Sequence, residues 1–396
     1  MTSAMRAPSP HVLFVTGHWP PAQGGMATSA DRIVGGLRGR GTTVDVLHLS
    51  SRARRARRTT TSGGSALIWP VGPDLAEDLA GLLPALPRWT GAWDVIVSFG
   101  GPLPLFVGPT LAGWLKLPLV VALRGADIDT GMFHPRRLAP LQRALHAAAQ
   151  VVVVSGDKVA KARALGATAP IAHIPNGIDL DAWQALPSDR VRAAQLRATL
   201  RGTKDPLILA CIGHLKRKKG VGTLARAIVS LKLQDQLILL LAGTPSDAVQ
   251  AELDAAREAG LSIHQQPFVD RERLLGVLPA ADVVALPSVH DGMPNVMLEA
   301  GGLGLPLLAS RAGGMGDHLV DGEHGWLFDV GDEDALRHAI WRMVQDRADA
   351  PARGARWRAR VAEQFTIDAE AQQWHSVLSA VVTGPALAST HHIEES

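Results

Sequence analysis

Cysteine is almost missing from this chain of 396 residues. The single Cys211 permits neither an internal disulfide nor a multi-cysteine metal site, as expected of a reducing, cytoplasmic setting. Its place in the apolar run LILACIG predicts a buried core thiol rather than a nucleophile. Net charge is scarce as well. With 40 Lys and Arg against 37 Asp and Glu the formal charge is +3, which argues against a nucleic-acid binder acting through bulk charge. Long unbroken apolar runs are lacking too. The N-terminus MTSAMRAPSPH has no stretch of signal-peptide length. The most membrane-like segment, 103–123, is interrupted by Pro104, Pro109, Lys116 and Pro118, so it reads as a soluble helix followed by a buried strand. Disorder is excluded from the other direction, since 46% of residues are hydrophobic and 19% charged.

What is present is a rhythm. Short Val/Leu/Ile-rich runs at 11–16, 43–49, 66–71, 94–99, 117–123 and 151–155 alternate with amphipathic stretches, the first of which puts Met26, Ala30, Ile33, Val34 and Leu37 on one face. Such runs suit parallel strands covered on both faces, and the repeated βαβ pattern predicts a doubly wound α/β domain. The rhythm breaks near Pro175–Gly177. A polar helix over 189–201 and a loop at Gly202–Pro206 follow. A second series then begins, with strands at 207–213, 236–243, 282–288, 306–310 and 325–328, and helices near 221–231, 246–258, 271–278 and 295–303. The expected division is a first α/β domain over 1–180, a second over 205–365, and a C-terminal helix and tail over 366–396 that folds back on the first. The end, STHHIEES, reads as frayed. Two such domains imply a cleft, and ligands of open α/β sheets bind at the carboxyl ends of strands.

Four segments carry chemistry. PSVHDGMPNVMLE (287–299) follows a strand and opens a helix, with Pro294 suited to the first turn and Asn295 and Glu299 on one helical face. A carboxylate at a helix start can accept both hydroxyls of a ribose, and backbone N–H groups there can hold an anion. A capped helix with Asp291 in a turn and Glu299 in a surface pair fits the spacing equally well. GHLKRKKG (213–220) is a basic loop between strand and helix, suited to a diphosphate or simply solvated. GHWPPAQGG (17–25) brings Gly24 and Gly25 to the first helix start, where backbone can approach a ligand closely or merely form a flexible loop. It is no dinucleotide fingerprint, since GxGxxG does not occur in this turn, which disfavours a dehydrogenase. RGAD (124–127) follows a buried strand and offers either a cation facing the cleft or a surface pair between Arg124 and Asp127.

At 287–310 and again in AGGMGDHLVDGEHGWLF the chain resembles the nucleotide-binding half of retaining glycosyltransferases of family 4, and the likeness extends from HVLFVTGHWPPAQGGMA to the last helices. That resemblance implies the GT-B architecture, two Rossmann-like domains facing a cleft. The family's pattern of two acids separated by seven residues falls on Asp291, where Glu is usual, and Glu299. It implies that Glu299 binds the ribose and Asp291 the donor sugar, with Gly292, Met293, Pro294 and Asn295 supplying backbone contacts. Its phosphate-binding Lys falls at Lys219, beside Gly213, and its Arg at His214, so Lys218 or Arg217 is expected to assist. Gly24 and Gly25 would border the donor phosphates. Arg124 stands where His is common, next to Asp127 on the acceptor side, and Asn176 and Gly177 match the domain junction.

The implied activity is transfer of a sugar from a nucleotide-sugar donor, UDP- or GDP-linked, to a glycan, lipid-linked or small-molecule acceptor. Retention would come from front-face attack, because no second carboxylate accompanies Asp291 as a covalent nucleophile. No cofactor and no metal are expected: Asp127–Ile128–Asp129 has the DxD spacing but lies in the RGAD loop. A sugar-nucleotide-binding protein without catalysis, suggested by the departures at Asp291, His214 and Arg124, and a GT-B epimerase or phosphorylase are the alternatives. SRARRARR (51–58) carries five arginines, which exceed the whole net charge of +3. Arg52, Arg54, Arg55, Arg57 and Arg58 read as a solvated loop, or as a peripheral contact with anionic lipid at the inner face of the membrane.

Overall fold

The computed structural model describes residues 9–384 apart from 23, 87–88, 90–91 and 268, so the tail read as frayed lies outside the described residues. Two sheets form. The first holds β1 (His11–Thr16), β2 (Thr43–Ser50), β3 (Arg57–Thr61), β4 (Gly64–Pro70), β5 (Val95–Phe99), β6 (Leu119–Leu123), β7 (Gln150–Val153) and β8 (Ile171–His173), in the order β3-β4-β2-β1-β5-β6-β7-β8. The second holds β9 (Leu207–Ile212), β10 (Leu237–Ala242), β11 (Ser262–Gln266), β12 (Val283–Leu286), β13 (Leu307–Ser310) and β14 (Gly325–Phe328), in the order β11-β10-β9-β12-β13-β14. Pairing is parallel throughout except between β3 and β4.

The alternation along β1 explains why such runs are apolar at every position. Leu13 and Val15 enter the core on one face of the sheet, Val12 and Phe14 the core on the other, and all four are fully buried. Each sheet is thus a middle layer between helices. In each the strand order reverses beside the first strand: β1 lies between β2 and β5, and β9 between β10 and β12. The loops that leave the carboxyl ends of β1, β5, β9 and β12 diverge there, which opens a crevice.

Three strands were not expected, and all three are sheet edges: β3 (RRTTT), β8 (IAH) and β11 (SIHQQ). An edge strand has one neighbour and partly solvated faces, so its sequence needs no apolar run. β3 corrects the reading of 51–58 as wholly loop, since Arg57 and Arg58 belong to its fully exposed backbone ladder. The helix expected over 271–278 is only Arg271–Leu274, followed by a 3-10 turn at Leu278–Ala280. Pro294 caps the helix Asn295–Gly302 instead of lying in its first turn.

The C-terminal helix Ile367–Thr383 packs on the first domain's helix Gly25–Gly39. Trp374 and Leu378 join the core beneath Val12 and Phe14. Gly36 allows the approach, because a Cβ there would come within 2.8 Å of the Ala371 Cβ.

Candidate functional site

The carboxyl ends of the two sheets face each other across a cavity of about 550 Å³. Apart from Arg217, the residues singled out in the motifs as donor- or acceptor-facing line it: Gly24, Gly25, Arg124 and Asp127 from the first domain, with Gly213, His214, Lys219, Asp291–Asn295 and Glu299 from the second. These two groups, within 24–127 and 213–299, are distant in sequence and are brought together by the fold alone.

Helix starts dominate the walls. The helices Gly25–Gly39, Pro102–Leu115 and Asn295–Gly302 begin at the cavity, and none has a side-chain cap on its N-terminal N–H groups. Uncapped N–H groups and the aligned peptide dipoles make these ends attractive to anions. Gly24 (φ +118°) and Gly25 let the first of them come close to the opposite wall: a Cβ on Gly24 would lie 3.7 Å from His214 Nε2, and one on Gly25 3.6 Å from Asn295 Nδ2. The approach is closer still at Gly292. A Cβ there would sit 2.1 Å from the Arg124 carbonyl oxygen, so only glycine fits between the two domains at this point.

Lys219 and Asp291 form the electrostatic centre. Lys219 Nζ donates to Asp291 Oδ2 at 2.5 Å. Burial alone would raise the Asp291 pKa, but the charge and hydrogen bond of Lys219, the charge of Lys218 and the Gly292 N–H outweigh it, leaving the carboxyl below its ordinary value. Lys218 also lines the cavity; burial lowers its pKa, against the pull of Asp291. Arg217 departs from expectation. It turns away to Glu252 at 3.6 Å and is not part of the cavity lining, so Lys216, Lys218 and Lys219 are the bases presented there.

Of the alternatives read from the RGAD segment, the surface pair does not form, and Arg124 lines the cavity as a buried cation. Arg124 is buried, its guanidinium donating to Asn176 Oδ1 and lying 5.3 Å from the centre of the Phe99 ring. Burial brings its pKa down to about 10, helped by Arg32 and opposed by Glu370, which leaves it cationic at neutral pH. Its Nη1 is buried without a hydrogen-bond partner. Asp127 makes no pair with that guanidinium. Its carboxylate accepts the backbone N–H of Arg124 (2.7 Å), Gly125 (2.7 Å) and Ile128 (3.0 Å), shaping the loop. Burial raises its pKa even so. Asp129 turns elsewhere, to Lys161 at 2.6 Å and Lys158 at 3.2 Å, so the two DxD carboxylates serve different partners.

Several residues here carry no motif. Lys158 is fully buried and reaches Asp157, Asp129 and the Asp291 carbonyl oxygen (3.4 Å), supporting the loop before the helix Asn295–Gly302. Arg32 donates to Glu370 (2.6 Å), Asn176 (2.8 Å) and Asn295 (3.3 Å), and Asn176 Nδ2 donates to the Met293 carbonyl oxygen at 2.7 Å. This network joins the first helix, the domain junction, the helix Asn295–Gly302 and the C-terminal helix. His18 and Arg137 complete the first-domain wall, and burial lowers the His18 pKa.

Comparison with known proteins gives the family. The profile described as Glycosyltransferase Family 4 matches residues 23–182, and that described as Glycosyl transferases group 1 matches 206–346. The chain is 27% identical to a GDP-mannose-dependent alpha-(1-6)-phosphatidylinositol monomannoside mannosyltransferase of Mycolicibacterium smegmatis, over 91% of this chain and all of that protein. It is 33% identical to a D-inositol 3-phosphate glycosyltransferase of Corynebacterium diphtheriae, over 43% of this chain and 42% of that one. Among solved structures, the sucrose-phosphate synthase from Thermosynechococcus elongatus superposes with a TM-score of 0.78 at 22% identity, covering 94% of this chain and 99% of that one. Anabaena HepE in complex with UDP-glucose gives 0.75 at 20% identity, covering 94% and 100%. At those identities the structural likeness is one of fold. Family matches in both halves, joined by that shared two-domain fold, establish that the chain belongs to the GT-B glycosyltransferases of family 4.

Proposed function

We propose that this glycosyltransferase retains anomeric configuration and takes a UDP- or GDP-linked sugar, with a GDP-linked hexose such as GDP-mannose as the first donor to test and an acceptor bearing a phosphate. The observation that carries the reading is the Lys219–Asp291 pair, 2.5 Å apart in a cavity onto which three uncapped helix starts open. A departing diphosphate accumulates negative charge. Lys219, Lys218 and the helix start at Asn295 line the cavity and would stabilise that charge, since preorganised positive charge in a partly desolvated cleft is the main means of lowering such a barrier. The acceptor hydroxyl would attack the anomeric carbon from the face the diphosphate leaves. The new C–O bond forms as the sugar–phosphate bond breaks, and the hydroxyl proton passes to the departing phosphate oxygen. In this reading Asp291 orients the donor sugar and Glu299 the ribose, while binding and positioning replace a covalent intermediate.

The preference for a GDP-linked donor and a phosphorylated acceptor is supported by the printed activities of the relatives and by the cationic first-domain wall, where Arg124 and Arg137 line the cavity. The charge of the lysines makes a divalent ion at the diphosphate unnecessary, so turnover should proceed without added Mg2+ or Mn2+. The exposed residues Arg57 and Arg58 on the edge strand β3, with Arg52, Arg54 and Arg55 in the loop that leads into it, would hold the enzyme against anionic lipid. Sedimentation with phosphatidylserine vesicles that salt abolishes supports that contact; no sedimentation at low salt removes it.

The test of the reading is nucleoside diphosphate release from a panel of UDP-, GDP- and ADP-sugars with inositol phosphate acceptors, followed by NMR assignment of the product anomer. A product of the donor's own anomeric configuration is expected. An inverted product, or no turnover on any donor, overturns it.

A further inference from the structure

Away from the cavity, His173 at the end of β8 meets Asp317 and His318 at the end of the helix Gly314–His318. Among the described residues this is the one group of three His, Cys or acidic side chains whose potential ligand atoms all lie within 4.8 Å of one another. None of the three lines the cavity. The two imidazoles are stacked, with ring centroids 5.6 Å apart and planes at 17°. His318 also packs edge-on against Phe365, and its Nε2 is buried without a hydrogen-bond partner. Such an orphaned ring nitrogen is uncommon and asks for a missing partner. The other two groups are already oriented. His173 Nε2 lies 3.3 Å from the Val154 carbonyl oxygen, and a ring that donates there presents its Nδ1 lone pair. Asp317 accepts the Gly156 N–H at 2.7 Å.

We propose that His173, Asp317 and His318 form a site for one divalent transition-metal ion, zinc being the ion this donor set favours, which ties the first domain to the second. Two imidazoles and a carboxylate with a fourth position for water are a zinc-type set, whereas Mg2+ and Ca2+ select oxygen ligands. Metal–nitrogen distances of about 2.0–2.1 Å place tetrahedral ligand atoms roughly 3.3 Å apart, so no pair has to close by more than about 1.5 Å through side-chain rotation. The ion would also fix the helix whose first residue supports the donor loop, since the Gly314 N–H donates to the Gly292 carbonyl oxygen at 2.6 Å.

The full chain, freed of metal with a chelator and desalted, is titrated with CoCl2 followed by visible absorption and with ZnCl2 followed by calorimetry and thermal unfolding. One ion per chain at micromolar or tighter affinity is expected, with a rise in the unfolding midpoint. His173→Ala and His318→Ala should each weaken binding at least tenfold and abolish that rise. His173→Ala, at an edge strand, decides the matter should His318→Ala fail to fold. Absence of binding overturns the site. So does binding undiminished in His173→Ala, including binding that disappears only when His391 and His392 of the tail are replaced.

Discussion

Asp291 owes its ionisation to its neighbours. Removed from water it would hold a proton more readily, and only Lys219, Lys218 and the Gly292 N–H push it the other way. A depressed carboxyl pKa means that the pair is intact above the ordinary value of 3.8 and is lost only as pH falls through the lower native one. Lys219→Ala therefore has two expected effects. Transfer efficiency, kcat/KM, falls about 10²–10³-fold through loss of charge stabilisation. The acid limb of its pH profile also moves to higher pH, because the stranded carboxylate then titrates in a buried site. Steady-state rates across pH, with circular dichroism to confirm folding, check both; an unmoved limb would falsify the pairing. Gly292→Ala should cost at least tenfold in turnover, since its methyl would meet the Arg124 carbonyl oxygen at 2.1 Å and hold the domains apart. Small-angle scattering that shows an unchanged shape alongside full activity would refute this. Asp291, Lys219 and Glu299 were legible because they sit in dense motifs. Lys158, Arg32 and Glu370 were not. They lie in ordinary helix sequence, where a lone charge looks like a solvated face, and only the fold shows that Lys158 and Glu370 are buried.

At the scale of elements, β2 shows how much a single polar residue in an apolar run can hold. Asp45 is buried within TVDVLHL and accepts from the Ser65 backbone N–H and hydroxyl (2.8 Å each), Trp93 Nε1 (3.0 Å) and His11 (2.8 Å). It stitches β1, β2 and β4 to the loop before β5. Asp45→Ala leaves those donors unsatisfied and should destabilise the fold by about 3 kcal/mol at neutral pH, read from urea unfolding. Burial raises the Asp45 pKa, but its four hydrogen bonds prevail and lower it. The difference between wild type and variant should consequently persist above the ordinary carboxylate range and shrink as pH falls through the native value. A difference independent of pH would show that the donors, not the carboxylate's charge, set the stability. The central strands were readable from their double-sided burial. Three of the four edges were not, because RRTTT, IAH and SIHQQ bury too little to leave a pattern, whereas the edge strand β14 is buried and was readable.

For the whole molecule the decisive element is the helix Ile367–Thr383. It follows the second domain in sequence yet packs in the core of the first, and Glu370 reaches Arg32 and the Gly177 N–H (3.0 Å) at the junction. The two domains are thereby coupled by buried contacts as well as by the linker. Trp374 is fully buried, and Trp374→Ala should cost about 3–5 kcal/mol from lost packing and the cavity left behind. It should also separate unfolding of the two domains into distinct calorimetric transitions; a single unshifted transition would show that the helix contributes no coupling. Cys211 illustrates the opposite case. Its thiol, pushed up to about 12 by burial in β9, follows directly from the apolar run that contains it.

Local pattern alone determined the α/β class, the two series of strands, the linker between them and the motifs that meet at the cleft. These depend on hydrophobic period and on residue types at short spacing, both of which are properties of contiguous chain. Tertiary structure decided what those residues do to one another. It turned Arg124 inward to Asn176, sent Arg217 to Glu252, spent Asp127 on its own loop, and brought His173 to His318 across the domain boundary. Such outcomes depend on burial and on the angle between two domains, which no short window of sequence contains.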